Sequence, residues 1–289
     1  MSSISNSVKR LAVVSILLLA MLLAVETHSF AEEQCGSAEN PCTIESGTFH
    51  IKLPDGDRRG AVFLLHGGGG QGSGLLNSNM ARQAVERGFV FVAPNGEHST
   101  ARFPRNWAVK ADNFGHEKDD IAFLDDVMDH VADKYSVDRR KMLLAGFSRG
   151  GSMVWDVACH APGTARAYAP AAGAFWDTLP EKCEAPVDLF HTHGWDDRTV
   201  PLEGRPLWDG KIAQGDVWES LRILRTANGC DGRQPSRSSI EGERWLRHWE
   251  NCNAGRIDLM LYPGGHGVPS DWAPRILDWF EARIAEDFR

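Results

Sequence analysis

A series of short apolar runs, "TFHIKL", "AVFLLH", "FVFVAP", "MLLAG", "VDLFHTH" and "IDLMLY", recurs along this chain with amphipathic segments between them. Each run has the length of a strand, and the later ones are nearly continuously apolar, as strands covered on both faces must be. The segments between them have the other period. In "DDIAFLDDVMDHVADKY", Ile121, Leu124, Val127, Met128 and Val131 fall on one helical stripe with acids around the rest. "SGLLNSNMARQAVERG" and "WAPRILDWFEARIAEDF" read likewise. Strand alternating with helix buries both patterns as an α/β fold, a mostly parallel central sheet with helices on both faces. Residues 200–256, rich in Gly, Trp and charge, interrupt the alternation and read as an excursion, a lid or side wall.

The first residues stand outside that pattern. "MSSISNSVKR" carries Lys9 and Arg10, "LAVVSILLLAMLLAV" is apolar throughout, and Ser29 and Ala31 are small residues at −3 and −1 of a cleavage point. This is the pattern of an export signal over 1–31. The apolar run falls short of the ~20 residues that cross a bilayer, so no stable membrane insertion is expected after cleavage. Residues 32–289 suffice for one sizeable core and read as a single, monomeric domain. The net charge of −8, with no Lys/Arg stripe, argues against nucleic acid and for a neutral or apolar small-molecule or oligomeric substrate.

All six cysteines follow the signal. An even count in an exported chain reads as disulfides, and places the protein outside the cell or in a periplasm. Six cysteines allow many connectivities; proximity in sequence favours Cys35–Cys42, Cys159–Cys183 and Cys230–Cys252. No CxxC spacing supports a structural zinc instead.

The chemistry is concentrated where the apolar runs end. After "MLLAG" comes Gly146-Phe147-Ser148-Arg149-Gly150, followed by Gly151 and a helical run. Strand, sharp turn and helix around G-x-S-x-G is the context of a nucleophile elbow, in which glycines let strand and helix cross while the serine is held up to substrate. A serine needs a base, and the base an orienting acid. In the α/β-hydrolase fold these follow in the order Ser, Asp/Glu, His. Beyond "VDLF" the chain supplies "HTHGWDDRTVP" with Asp196 and Asp197, and beyond "IDLMLY" it supplies "PGGHGVP" with His266. Both follow strands directly, at the end where open α/β sheets gather their sites. Either aspartate could serve as the acid.

The glycine loop in "LLHGGGGQGSG" can aim backbone N–H groups inward as an oxyanion hole. One donor is expected from Gly68 and the other from Arg149, the residue after the nucleophile. As a phosphate cradle the loop fits poorly, since no Lys follows it. A metal site from His191, His193, Asp196, Asp197 and His266 is a rival; alternation of side chains along a strand disfavours it, and it leaves the elbow unexplained. No metal or cofactor is expected. His160 and His248 read as surface residues. Among ten tryptophans, Trp107, Trp176 and Trp195 sit beside strand ends and are candidate pocket walls for an aromatic or polyester acyl group.

The set "LLHGGGG", "DDIAFLDDVMDHV", "GFSRGGSM", "VACHAPGTARAYAPAAGAF", "HTHGWDDRTVP" and "YPGGHGVP" resembles secreted esterases of the poly(3-hydroxybutyrate) depolymerase and feruloyl-esterase-like group of α/β-hydrolases, over roughly 47–283. The resemblance implies a serine esterase acting through an acyl-enzyme. Its acid pattern, HG-x-x-D-x-x-VP, maps onto His193-Gly194, Asp197 and Val200-Pro201, and so selects Asp197 over Asp196. Its cysteines match Cys159, Cys183, Cys230 and Cys252. Two positions depart from the group: Arg149 replaces an asparagine, and Val268 an aromatic residue after the histidine. Both lie near the expected pocket, so substrate identity does not carry over. Feruloyl-type esters are the first expectation and short hydroxybutyrate esters the second. Soluble or short esters are expected over insoluble polymer, because no separate binding module is visible in 32–289. A peptidase of the same fold and a non-catalytic binding protein are the alternatives.

Overall fold

A computed structural model of the chain describes residues 35–96, 105–110 and 118–287; the expected signal over 1–31 lies outside them. In chain order the strands are β1 (Cys42–Ile44), β2 (Gly47–Lys52), β3 (Gly60–Leu65), β4 (Phe89–Pro94), β5 (Met142–Phe147), β6 (Ala167–Ala171), β7 (Trp176–Asp177), β8 (Asp188–Gly194), β9 (Arg205–Leu207), β10 (Ile212–Gln214), β11 (Arg237–Glu241), β12 (Arg244–Trp249) and β13 (Arg256–Tyr262). The α-helices are α1 (Asn79–Glu86), α2 (Asp120–Tyr135), α3 (Arg149–His160), α4 (Val217–Asn228) and α5 (Trp272–Glu286).

The main sheet runs β1-β2-β4-β3-β5-β6-β8-β13-β12-β11. Its centre, from β4 to β13, is parallel, and both margins are antiparallel. Side chains alternate between two cores, as the period of a strand requires. On β3, Ala61, Phe63 and Leu65 join the core beneath α2, α3 and α4, while Val62 and Leu64 join that beneath α1 and α5. This is the α/β-hydrolase arrangement, with the carboxyl ends of the central strands opening on one side.

Helix starts are fixed by short polar side chains that satisfy the free N–H groups of a first turn. Ser78 Oγ accepts from Ala81 N in α1, Asp119 Oδ1 from Ile121 N and Ala122 N in α2, and Asp216 Oδ1 from Glu219 N in α4. α3 and α5 lack such a bond, and in α3 the reason is chemical. Ser148 occupies its cap position, yet its hydroxyl makes no capping bond.

Two expectations need correction. Residues 200–256 are not one excursion. β10 pairs with β7 on one side and β9 on the other in a separate three-stranded sheet. α4 returns to the main core through Val217, Leu221 and Leu224, and β11 and β12 extend the main sheet. His248 is not a surface residue: it lies buried on β12, where the strand turns it towards Asp258. His160, the last residue of α3, is partly exposed. The cysteines are joined as Cys35–Cys42, Cys159–Cys183 and Cys230–Cys252. The second ties the end of α3 to the segment before β8, and the third ties the end of α4 to the chain just after β12.

Candidate active site

β5 ends at Phe147 and α3 begins at Arg149, leaving a single residue for the turn. Ser148 takes φ 56° and ψ −120°, a conformation that costs a non-glycine residue ~1–3 kcal/mol. The flanking glycines are required by contact. A Cβ on Gly146 would lie 2.3 Å from the Gly150 carbonyl oxygen, and one on Gly150 would lie 2.5 Å from the carbonyl oxygens of Leu65 and His66. Strand and helix therefore cross at backbone distance, and the serine side chain is pushed outward.

The Ser148 hydroxyl faces His266 instead of its own helix, with Oγ 2.9 Å from His266 Nε2. His266 Nδ1 donates to Asp197 Oδ2 at 2.8 Å. Asp197 is held in turn by its own loop, Oδ1 accepting from Thr199 N at 2.8 Å and Val200 N at 2.9 Å. Burial pushes the Asp197 carboxyl up, but hydrogen bonds from His193, His266 and the Val200 amide outweigh it and hold the group well below the usual carboxylate range. Asp196 is exposed and pairs with Arg198 at 3.4 Å. Of the two aspartates, only Asp197 meets the imidazole.

The two loops that carry acid and base are packed together. A Cβ on Gly194 would lie 2.3 Å from the Gly264 carbonyl oxygen, and Asp196 N donates to that same oxygen at 3.0 Å. His191 and His193, two residues apart on β8, share a face, which the alternation argument had not allowed for. Their rings meet at 3.0 Å, and His193 Nε2 donates to the Val200 carbonyl at 2.8 Å. Burial and the neighbouring His193 hold His191 well below its ordinary value. His193 thus clamps the far side of the acid loop, 3.4 Å from Asp197 Oδ2.

A cavity of about 400 Å³ opens on the serine, walled by Gly68, Arg149, Trp176, Trp208, Arg205 and Gln214 among others. Gly68 and Arg149 border it as expected, and Trp176 does too. Trp107 and Trp195 do not. Trp107 is fully buried, its Nε1 donating to the His66 carbonyl at 2.8 Å. Trp195 lies on the surface against Trp245, ring centroids 6.0 Å apart. Trp208 takes their place from the β9–β10 hairpin; its Asp209-Gly210 turn was a readable hairpin signal, but nothing local tells which way the hairpin leans.

The Arg149 guanidinium is buried, donating twice to the Trp107 carbonyl at 3.0 and 2.9 Å and lying 4.4 Å over the Trp176 ring. Burial drives it down to about 9, and burial likewise drives the Asp156 carboxyl, on the same helix, up to about 7. The arginine that departs from the esterase pattern therefore braces the pocket wall. Among the described residues, no group of three or more His, Cys, Asp or Glu is arranged to hold a metal.

The sequence model of the phospholipase/carboxylesterase family matches residues 46–209, which carry the glycine loop, the elbow and the acid. The chain belongs to that family. The protein is 27% identical over 249 residues to feruloyl esterase C of Emericella nidulans, covering 80% of this chain and 82% of the relative. In fold it is similar to the acetyl xylan esterase from Aspergillus awamori, with a TM-score of 0.62 at 16% identity, covering 84% and 98% of the two chains. The Bacillus cereus carboxylesterase superposes with a TM-score of 0.56 at 15% identity, covering 81% and 93%. The feruloyl-esterase-like character read from the motifs agrees with these likenesses, and the chain is a carboxylesterase-type α/β-hydrolase.

Proposed function

We propose that the protein is an exported serine carboxylesterase, its catalytic unit a single domain, that cleaves aromatic acyl esters of the feruloyl type through an acyl-enzyme. The observation that carries this reading is the unbroken line of hydrogen bonds from Ser148 through His266 to Asp197, opening on a cavity walled by Trp176 and Trp208. Ser148 Oγ attacks the ester carbonyl while His266 Nε2 takes its proton. The carbonyl oxygen, now negative, is received by the amides of Gly68 and Arg149. The latter opens α3, whose uncapped first turn presents N–H groups and the positive end of its dipole to the developing charge. His266 then gives the proton to the leaving alcohol, the C–O bond breaks, and water repeats the sequence to release the acid. Asp197 keeps the imidazole in the tautomer that accepts at Nε2.

The name of the Emericella relative supports an aromatic acyl group, and so does a cavity far larger than an acetyl group needs. The disulfides and the leader pattern support export. Hydrolysis of methyl ferulate by the wild type and by Ser148→Ala tests the reading. The variant should lose roughly 10³-fold or more in kcat with its fold intact, and a serine-directed phosphonate should modify Ser148 alone. Residual activity above about a tenth of wild type would remove Ser148 from the mechanism.

A further inference from the structure

A second cavity, of about 300 Å³, lies beside the one that opens on Ser148. Leu75, Met80, Phe147, Val268 and Trp272 line it. It shares Gly67 and Phe147 with the cavity that opens on Ser148. The two cavities adjoin at these residues, close to the nucleophile: a Cβ on Gly67 would stand 3.3 Å from Ser148 Cβ and 3.5 Å from the Phe147 ring.

The chemistry of the second cavity differs from the first. Most of its polar side chains are already engaged within the protein. His66 Nδ1 bonds the Gly67 carbonyl and its Nε2 accepts from Gly96 N. Ser78 Oγ caps α1, Asn79 Nδ2 donates to the Ser270 carbonyl, and Trp272 Nε1 donates to Thr192 Oγ1. A ligand there finds apolar surface and few side-chain partners. The first cavity carries more polar side chains, Arg149, Arg205, Gln214 and Asn106, although Arg149 and Arg205 are also bonded within the protein.

The leaving oxygen must sit within reach of His266 Nε2, which returns the proton to it. The Phe147 ring, which lines both cavities, packs against the His266 ring at 4.9 Å between centroids. Val268, Pro269 and Ser270, continuing the His266 loop, form the second cavity's outer wall. We infer that this second cavity is the subsite for the leaving alcohol, and that it selects an apolar alkyl or aryl alcohol over a sugar. The inference rests on the serine-esterase reading above. It also gives a consequence to Val268, a small exposed side chain in the wall of this cavity.

The test compares kcat/KM for methyl, butyl and hexyl ferulate, and for the same three acetates, with the wild-type chain and with Val268→Trp. In the wild type kcat/KM should rise roughly tenfold from methyl to hexyl in both acyl series. Val268→Trp should abolish that rise, and Leu75→Trp, filling the cavity from the opposite wall, should do so independently if the first variant folds poorly. A flat wild-type ladder, or a ladder unchanged in both variants, overturns the subsite while leaving the esterase reading standing. Failure to hydrolyse any of the six esters overturns both.

Discussion

Among the described residues, two His–Asp pairs look alike at close range. His266 Nδ1 meets Asp197 Oδ2 at 2.8 Å, and His248 Nδ1 meets Asp258 Oδ1 at 2.6 Å. Each carboxylate is steadied by further donors, the Thr199 and Val200 amides in one case and Trp279 Nε1, at 2.7 Å, in the other. What separates them is where the second ring nitrogen goes. His266 sits on a loop past the carboxyl end of β13, and its Nε2 faces a serine hydroxyl and a cavity. His248 sits within β12, directly opposite Asp258 on β13, and its Nε2 is enclosed without a hydrogen-bond partner. A His–Asp pair is therefore by itself no sign of catalysis; in the mechanism proposed above, it is the strand end and the facing serine that set His266 apart.

That contrast can be broken by mutation. Asp197→Asn should lower kcat on methyl ferulate by on the order of 10³-fold, because the imidazole loses the partner that sets its tautomer. Asp258→Asn should leave kcat within about twofold of wild type and instead cost about 1–3 kcal/mol of unfolding free energy, the penalty of a disturbed buried hydrogen-bond pair. Parallel kinetics and urea titrations decide it, and comparable activity losses in the two variants would dissolve the distinction.

His193 sharpens the comparison, since the structural pair has no counterpart to it. His193→Phe should remove the clamp on the Val200 carbonyl and lower kcat roughly tenfold through misplacement of Asp197, with KM for methyl ferulate little changed. His193→Gln, which keeps a donor, should recover part of the loss. A rise in KM with kcat intact would point to the pocket rather than the acid loop.

The smallest expected effect is on pH. Asp197 is held below its unfolded range, so the stability it contributes is fully present above the unfolded carboxylate value of about 4 and is lost as pH falls from there towards its folded value. Wild-type urea midpoints should therefore fall below pH about 4 more steeply than those of Asp197→Asn. Equal acid slopes would mean that the carboxylate gains nothing from its four donors.

The strands that the hydrophobic pattern announced are present nearly to the residue, with "FVFVAP" coinciding with β4. β6 was invisible. "AYAPA" has small residues and a proline, a composition that argues against a central strand, yet it lies between β5 and β8. The reason is tertiary: Ala167, Ala169 and Ala171 pack into the core beneath α1 and α5 while Tyr168 fills the core beneath α2, α3 and α4, and α3 comes close only at the strand's end, where a Cβ on Gly151 would lie 2.5 Å from the Ala171 carbonyl oxygen.

The sequence by itself determined the layered α/β fold, the strand–turn–helix around Ser148, and the chain order of Ser148, Asp197 and His266. Periodicity and turn chemistry act between near neighbours, and the catalytic order is a property of the chain. It also carried the acid, though only through the HG-x-x-D pattern, since Asp196 and Asp197 are locally equivalent. Which tryptophan walls the cavity, which histidine pairs with which carboxylate, and how Arg149 is spent were decided only by tertiary structure. Trp107, Trp195 and Trp208 are each plausible from their neighbours in sequence. Their fates depend on the His66 carbonyl, on Trp245 and on the lean of a hairpin, partners distant along the chain and brought close only when the sheet assembles.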